Sequence, residues 1–125
     1  MRDAVQSRIP AAEKFAHEWV TAWNAHSIDQ VMSHYADDVV VKSPFLAQAL
    51  PDSGGTVSDV QQLREIYSKA FVKYPQLKFE LIRVFASTES VVIHYKSVEN
   101  LLAAETFWLN ADGKAKLVLC HYALA

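Results

Sequence analysis

Cysteine is nearly missing from this chain. One thiol, Cys120, occurs in 125 residues, which excludes an internal disulfide and any multi-cysteine zinc site. A reducing compartment, the cytoplasm, is the expected location, and the thiol reads as buried and inert because no His or Lys accompanies it. Glycine is scarce too: of three, two stand together in Pro51-Asp52-Ser53-Gly54-Gly55, the one long loop the sequence announces. That pair neither leaves a strand for a phosphate-binding turn nor precedes a lysine, so it does not point to a nucleotide. With a net charge of −2 and no basic tract, the chain lacks the cationic stripe that displaces phosphate counterions, and no nucleic-acid partner is expected. No apolar run approaches the roughly 18 residues that cross a bilayer, and Met1-Arg2-Asp3-Ala4-Val5-Gln6 lacks the apolar centre of a signal peptide. Among five histidines there is no His-x-x-x-His pair. His17 and His26 read as exposed, His34 and His121 stand alone, and neither a metal nor a cofactor is expected.

What is present is apolar: 51% of the residues are hydrophobic and 21% charged, a globular composition of single-domain length over residues 1–125. Pro10 suits a first helical turn, where its missing N–H would have no partner. Phe15, Trp19 and Trp23 then recur every four residues, with Ala12, Ala16 and Val20 beside them, predicting a helix from about Pro10 to Ala25. Ser27-Ile28-Asp29-Gln30 reads as a capping box opening a shorter helix through Ile28, Val31, Met32 and Tyr35. Asp37-Asp38 stops it, Val39-Val40-Val41 is a short strand, and Pro44 ends that strand. Ser58-Asp59-Val60-Gln61 repeats the capping pattern ahead of a third stripe, Val60, Leu63, Tyr67, Ala70 and Phe71, closed by Tyr74-Pro75.

From Leu77 the period becomes two. Leu77, Phe79 and Leu81 alternate with Lys78 and Glu80, and then the parity slips so that Ile82, Val84 and Ala86 are the apolar set. A slip of this kind is the mark of a bulged or bent strand. Further strands are expected over Val91 to Val98, Ala103 to Leu109 and Lys116 to Ala123, the last two joined by an Asn110-Ala111-Asp112-Gly113 hairpin turn. Helices first and strands last cannot alternate into a parallel α/β sheet. The fold class is therefore α+β: a cone-shaped, curved, mostly antiparallel sheet with three helices on its concave face, enclosing a pocket.

The element order and several short stretches together resemble the SnoaL-like group of the nuclear transport factor 2-like superfamily. The stretches are Trp23-Asn24-Ala25-His26, His34-Tyr35-Ala36-Asp37-Asp38-Val39, Ser43-Pro44-Phe45, Tyr74-Pro75, Ala104-Glu105, Asn110-Ala111-Asp112-Gly113-Lys114 and His121-Tyr122. The resemblance spans nearly the whole chain and implies the fold more than an activity, because this scaffold carries isomerases, dehydratases, cyclases, hydrolases and non-enzymatic dimers. Matched to the superfamily's steroid isomerases, the catalytic aspartate falls at Ser43, the first-helix tyrosine at Trp19, and the second, protonated aspartic acid at Glu105. Two of the three roles have lost their chemistry, so steroid isomerisation by that route is not expected.

Glu105 is the main candidate catalytic residue. It shares a strand face with Ala103, Phe107 and Leu109, and if that face looks inward a carboxyl sits in an apolar pocket with its pKa raised. The other parity puts Trp108 inside and Glu105 on the surface. His94 is the second catalytic candidate. It approaches Glu105 from a neighbouring strand if Val92 and His94 face the cavity, and it is a surface histidine if the more apolar set Val91, Ile93 and Tyr95 does. Ligand-binding candidates are Trp19, Trp23, Tyr35, Phe45, Phe107, Val118 and Tyr122, whose rings either line a site or simply form core. The functional expectation is a small apolar or cyclic ligand, handled by a cofactor-independent isomerase, cyclase or dehydratase, with a non-catalytic binding or dimerisation module as the alternative. On the inward reading of Glu105, Trp108, Leu117 and Leu119 form an outer apolar face, and a homodimer through it is expected.

Overall fold

The aromatic stripe of the first long helix organises everything else. In the computed structural model, which describes Met1–Ala125, helix α2 (Ile9–Asn24) follows a single-turn helix α1 (Arg2–Gln6) that buries nothing. Pro10 lies in the first turn of α2. Ala12, Phe15, Ala16, Trp19, Ala22 and Trp23 are buried on one face, as the spacing requires.

The short helix α3 (Ile28–Met32) starts where Ser27 Oγ accepts from the N–H of Gln30 at 3.3 Å; only this half of the capping box forms. Strand β1 runs over Tyr35–Lys42, earlier than expected, because Asp37 and Asp38 are exposed strand positions rather than a helix stop. Pro44 ends that strand and also opens a further helix, α4 (Pro44–Ala49), at its N-terminal turn, with Ser43 Oγ capping the N–H of Phe45 at 3.1 Å. The expected glycine loop contains a short turn of helix, Pro51–Ser53. It then returns as β2 (Thr56–Val57), which pairs antiparallel with β1. Gly55 lies tight under β1, so that a Cβ there would stand 3.1 Å from the carbonyl oxygen of Ser43. Helix α5 (Val60–Lys73) buries Leu63, Ile66, Tyr67 and Ala70.

Four strands complete the chain: β3 (Glu80–Ala86), β4 (Ser90–Lys96), β5 (Leu101–Leu109) and β6 (Ala115–Leu124). They form an antiparallel meander. β1 joins it by pairing parallel with β6, so the sheet order is β2-β1-β6-β5-β4-β3. The fold is α+β, a curved open six-stranded sheet with helices on one face. The parity slip appears as a register shift: Leu81 pairs with Tyr95 and Arg83 with His94, leaving Ile82 as the extra, exposed residue. The shift lets both Leu81 and Val84 face the helices.

The Trp23-Asn24-Ala25-His26 stretch is mechanical. Asn24 Nδ2 donates to the carbonyl of Phe79 at 3.0 Å, and Asn24 Oδ1 accepts from the Phe79 N–H at 2.7 Å. His26 Nε2 donates to the carbonyl of Leu77 at 2.9 Å while its ring stacks on Phe71. These bonds fasten the lead into β3 to the end of α2 and satisfy backbone groups that no strand partner reaches.

Candidate functional site

Strand alternation puts Ala103, Glu105 and Phe107 of β5 on the buried face of the sheet, together with Ile93 and Tyr95 of β4 and Val118 of β6. Between this face and the helices lies a cavity of about 210 Å³. Trp19 and Trp23 of α2, Tyr67 of α5, Phe79 ahead of β3, Tyr95 and Tyr122 give it aromatic walls, and Ser43, Phe45 and Leu46 close one side. The turn of Ser97, Val98 and Glu99 and the ring of Tyr74 stand at its rim.

Glu105 is the one buried acid, 4% exposed. Its backbone pairs with Ile93 on one side and Cys120 on the other, and the Tyr95 hydroxyl donates a hydrogen bond to its Oε1. Burial pushes its pKa from the ordinary 4.5 up to about 7, against the opposing pull of the Tyr95 hydroxyl and then the Cys120 thiol. The group therefore exchanges a proton near neutrality. Burial also raises Tyr35, Tyr67, Tyr95, Cys120 and Tyr122, each helped by the nearby negative charge of Glu105, so all of them stay protonated at neutral pH.

The sequence candidates separate into three groups. Glu105, Trp19, Trp23, Phe45 and Tyr122 line the cavity. Tyr35, Phe107 and Val118 lie behind its wall as core: the Tyr35 hydroxyl accepts from Trp19 Nε1 at 3.0 Å, and Phe107 packs edge-on against both Phe15 and Trp19. His94 is a correction. Ile93 and Tyr95 on either side of it are buried, its partner across the ladder is Ala104, and it therefore points out of the face opposite Glu105. No imidazole–carboxylate pair exists here.

Cys120, expected as a buried, inert thiol on the same strand face as Val118 and Tyr122, stands opposite Glu105 in the cavity wall. Tyr67, Tyr74, Phe79 and the Ser97–Leu101 turn also line the cavity and are not among the sequence candidates. The turn carried half a signal. Glu99 (φ 56°) and Asn100 (φ 61°) are both left-handed; asparagine is a usual sign of that conformation, whereas glutamate gives none. Glu99 is held there by the Tyr74 hydroxyl, which donates to Glu99 Oε2 at 2.7 Å across the rim.

Comparison with known proteins agrees with this architecture. The SnoaL-like domain profile matches residues 16–116. A SnoaL-like protein of unknown function from Burkholderia thailandensis is 36% identical, with 91% of this chain and 95% of that one covered at a TM-score of 0.88. More distant are a candidate isomerase of the SnoaL-like family from Agrobacterium tumefaciens (13% identity, 91% and 98% covered, TM-score 0.72) and a candidate polyketide cyclase from Sinorhizobium meliloti (12%, 86% and 94%, TM-score 0.70). At that identity the likeness is one of fold alone. No curated protein matches the chain in sequence.

Proposed function

The chain belongs to the SnoaL-like domain family, and from that premise we propose that its cavity binds a small apolar or cyclic molecule on which Glu105 acts as a cofactor-independent acid–base group. The observation that carries the reading is a single buried carboxyl, poised near pH 7, in the wall of a mostly apolar cavity rich in aromatic rings. Such a group can give a proton to one atom of a bound molecule and take one from another, which is the chemistry of an isomerase, cyclase or dehydratase. The structural relatives described as a candidate isomerase and a candidate cyclase are consistent with that class.

The second reading, a binding or dimerisation module without catalysis, is favoured by Ser43. Where the family resemblance expects an aspartate base, the Ser43 hydroxyl is occupied in capping α4. The outer face of the sheet is the proposed homodimer surface under either reading.

Thermal-shift screening with small cyclic ketones, alcohols, amines and epoxides identifies ligands, since a molecule bound only to the native state raises its melting temperature. Incubating each hit in deuterated buffer then reads proton transfer directly. The acid–base reading expects deuterium in the ligand with the wild type, and at least about 100-fold slower incorporation with Glu105→Gln. Equal incorporation by both proteins leaves the binding-module reading standing.

A further inference from the structure

Charge in the cavity is one-sided. Of 20 lining residues two are acids, Glu105 within and Glu99 at the rim, and none is lysine, arginine or histidine. The titratable groups that feel Glu105 are the hydroxyls of Tyr95, Tyr122 and Tyr67 and the thiol of Cys120 in the lining, and the Tyr35 hydroxyl behind it. Every one is uncharged at neutral pH, and the Tyr95 O–H is spent on donating to the carboxyl. Lys73 lies outside the lining, with its ammonium 5.3 Å from the centre of the Tyr74 ring. A ligand carboxylate or phosphate would be desolvated beside two acids with nothing to pair with. A cation would meet a carboxylate lacking a counter-ion and aromatic faces that attract positive charge.

Resting on the reading that this cavity is the binding site, we infer that its ligand is a compact organic amine, with the protonated nitrogen paired to Glu105 and a ring among the aromatic walls. The size agrees. A cavity of about 150 Å³ accepts benzene, so about 210 Å³ accommodates a ring with a short aminoalkyl arm. The ammonium supplies the positive charge that no protein group provides, and Glu99 carries the same sign preference out to the entrance. Pairing requires ionised Glu105. An amine therefore displaces the proton Glu105 holds below about pH 7, and its affinity rises with pH across that value. A neutral ligand accepting a hydrogen bond from protonated Glu105 shows the reverse trend.

Three probes of equal shape separate these outcomes: 2-phenylethylamine, 2-phenylethanol and phenylacetate, titrated by calorimetry at pH 6 and pH 8. The amine is expected to bind tightest at pH 8 and about tenfold weaker at pH 6, following the ionised fraction of Glu105. Phenylacetate is expected to bind weakest at both. Glu105→Gln removes the pH dependence and the preference for the amine over the alcohol while keeping alcohol binding, and Glu99→Gln weakens the amine severalfold. If the alcohol or the acid binds tightest, or the wild-type amine affinity ignores pH, the amine inference is overturned and the pocket reading survives. Failure of all three, and of tryptamine and tryptophol with their larger ring, overturns both. The wild-type measurements stand alone should a variant fail to fold.

Discussion

Glu105 shows how far one residue can set the behaviour of a site. Folded, it keeps its proton to about pH 7; unfolded, it loses it near 4.5. Between those values the native state binds more protons than the unfolded one, so this group's contribution to stability falls as pH rises through the window. Above pH 7 the full penalty, about 3 kcal/mol, remains. Glu105→Gln should therefore melt higher than the wild type at pH 8 and converge with it near pH 4.5, a comparison that calorimetry across that range makes directly. An equal pH slope in both proteins would mean the carboxyl is better solvated than its burial indicates. Tyr95→Phe removes the donor that most favours the ionised form, so the Glu105 titration, followed by NMR, should move above 7. The alternation of Ala103, Glu105 and Phe107 with Ala104 and Trp108 was legible in the sequence, but periodicity alone left open which set faces inward. The same parity told against His94. The possibility of a pair with Glu105 rested on a neighbour relation between strands, and neighbour relations carry no information about which way a side chain points.

Element boundaries failed where one residue type serves two purposes. Pro44 was read as a strand stop and is also a helix start, because a proline blocks the ladder and fits the first helical turn for the same missing N–H. Asp37 and Asp38 read as a helix stop but sit as exposed positions of β1, where the buried neighbours Ala36 and Val39 hold the strand in place. The cap of α5 is similar. Ser58 looked like the first residue of a capping box, yet Asp59 Oδ1 accepts from the N–H groups of Gln61 at 2.9 Å and Gln62 at 3.2 Å. Asp59→Ala should cost about 1 kcal/mol in denaturant unfolding and Ser58→Ala close to nothing; the opposite ranking would move the cap back by one residue. The bulge in β3 was readable because a parity slip has few other causes in a strand. The left-handed pair Glu99-Asn100 was readable only in its second residue: Asn100 has a local preference for that conformation, whereas Glu99 has none and is held there by hairpin closure and the Tyr74–Glu99 bond.

At the scale of the whole molecule, the helices α2, α3 and α5 cover one side of the sheet and leave an apolar surface on the other. Cross-strand pairing aligns it in rows: Phe85, Val92, Thr106 and Leu119 in one, Ser90, Trp108, Leu117 and Val40 in the next. Phe85 is 54% exposed, and Trp108, Leu117 and Leu119 are only half-buried. Contiguous apolar surface of this kind is uncommon on soluble monomers unless something covers it. A second copy is the simplest cover, because a two-fold axis sets each patch against itself and needs no other partner. The face also lies back to back with the cavity, β5 offering Trp108 outward and Glu105 inward, so pairing would stiffen the strand that holds the acid without blocking the rim. Sedimentation at micromolar concentration should give a species near twice the 14.0 kDa chain mass. Trp108→Glu places a charge at the centre of the patch, where desolvating it without a partner costs more than the contact returns. That variant should sediment as a monomer with an unchanged circular dichroism spectrum, since the residue points away from the core. A wild type that stays monomeric at every concentration would show that the half-exposed rows are tolerated in water, and the case for pairing would end there.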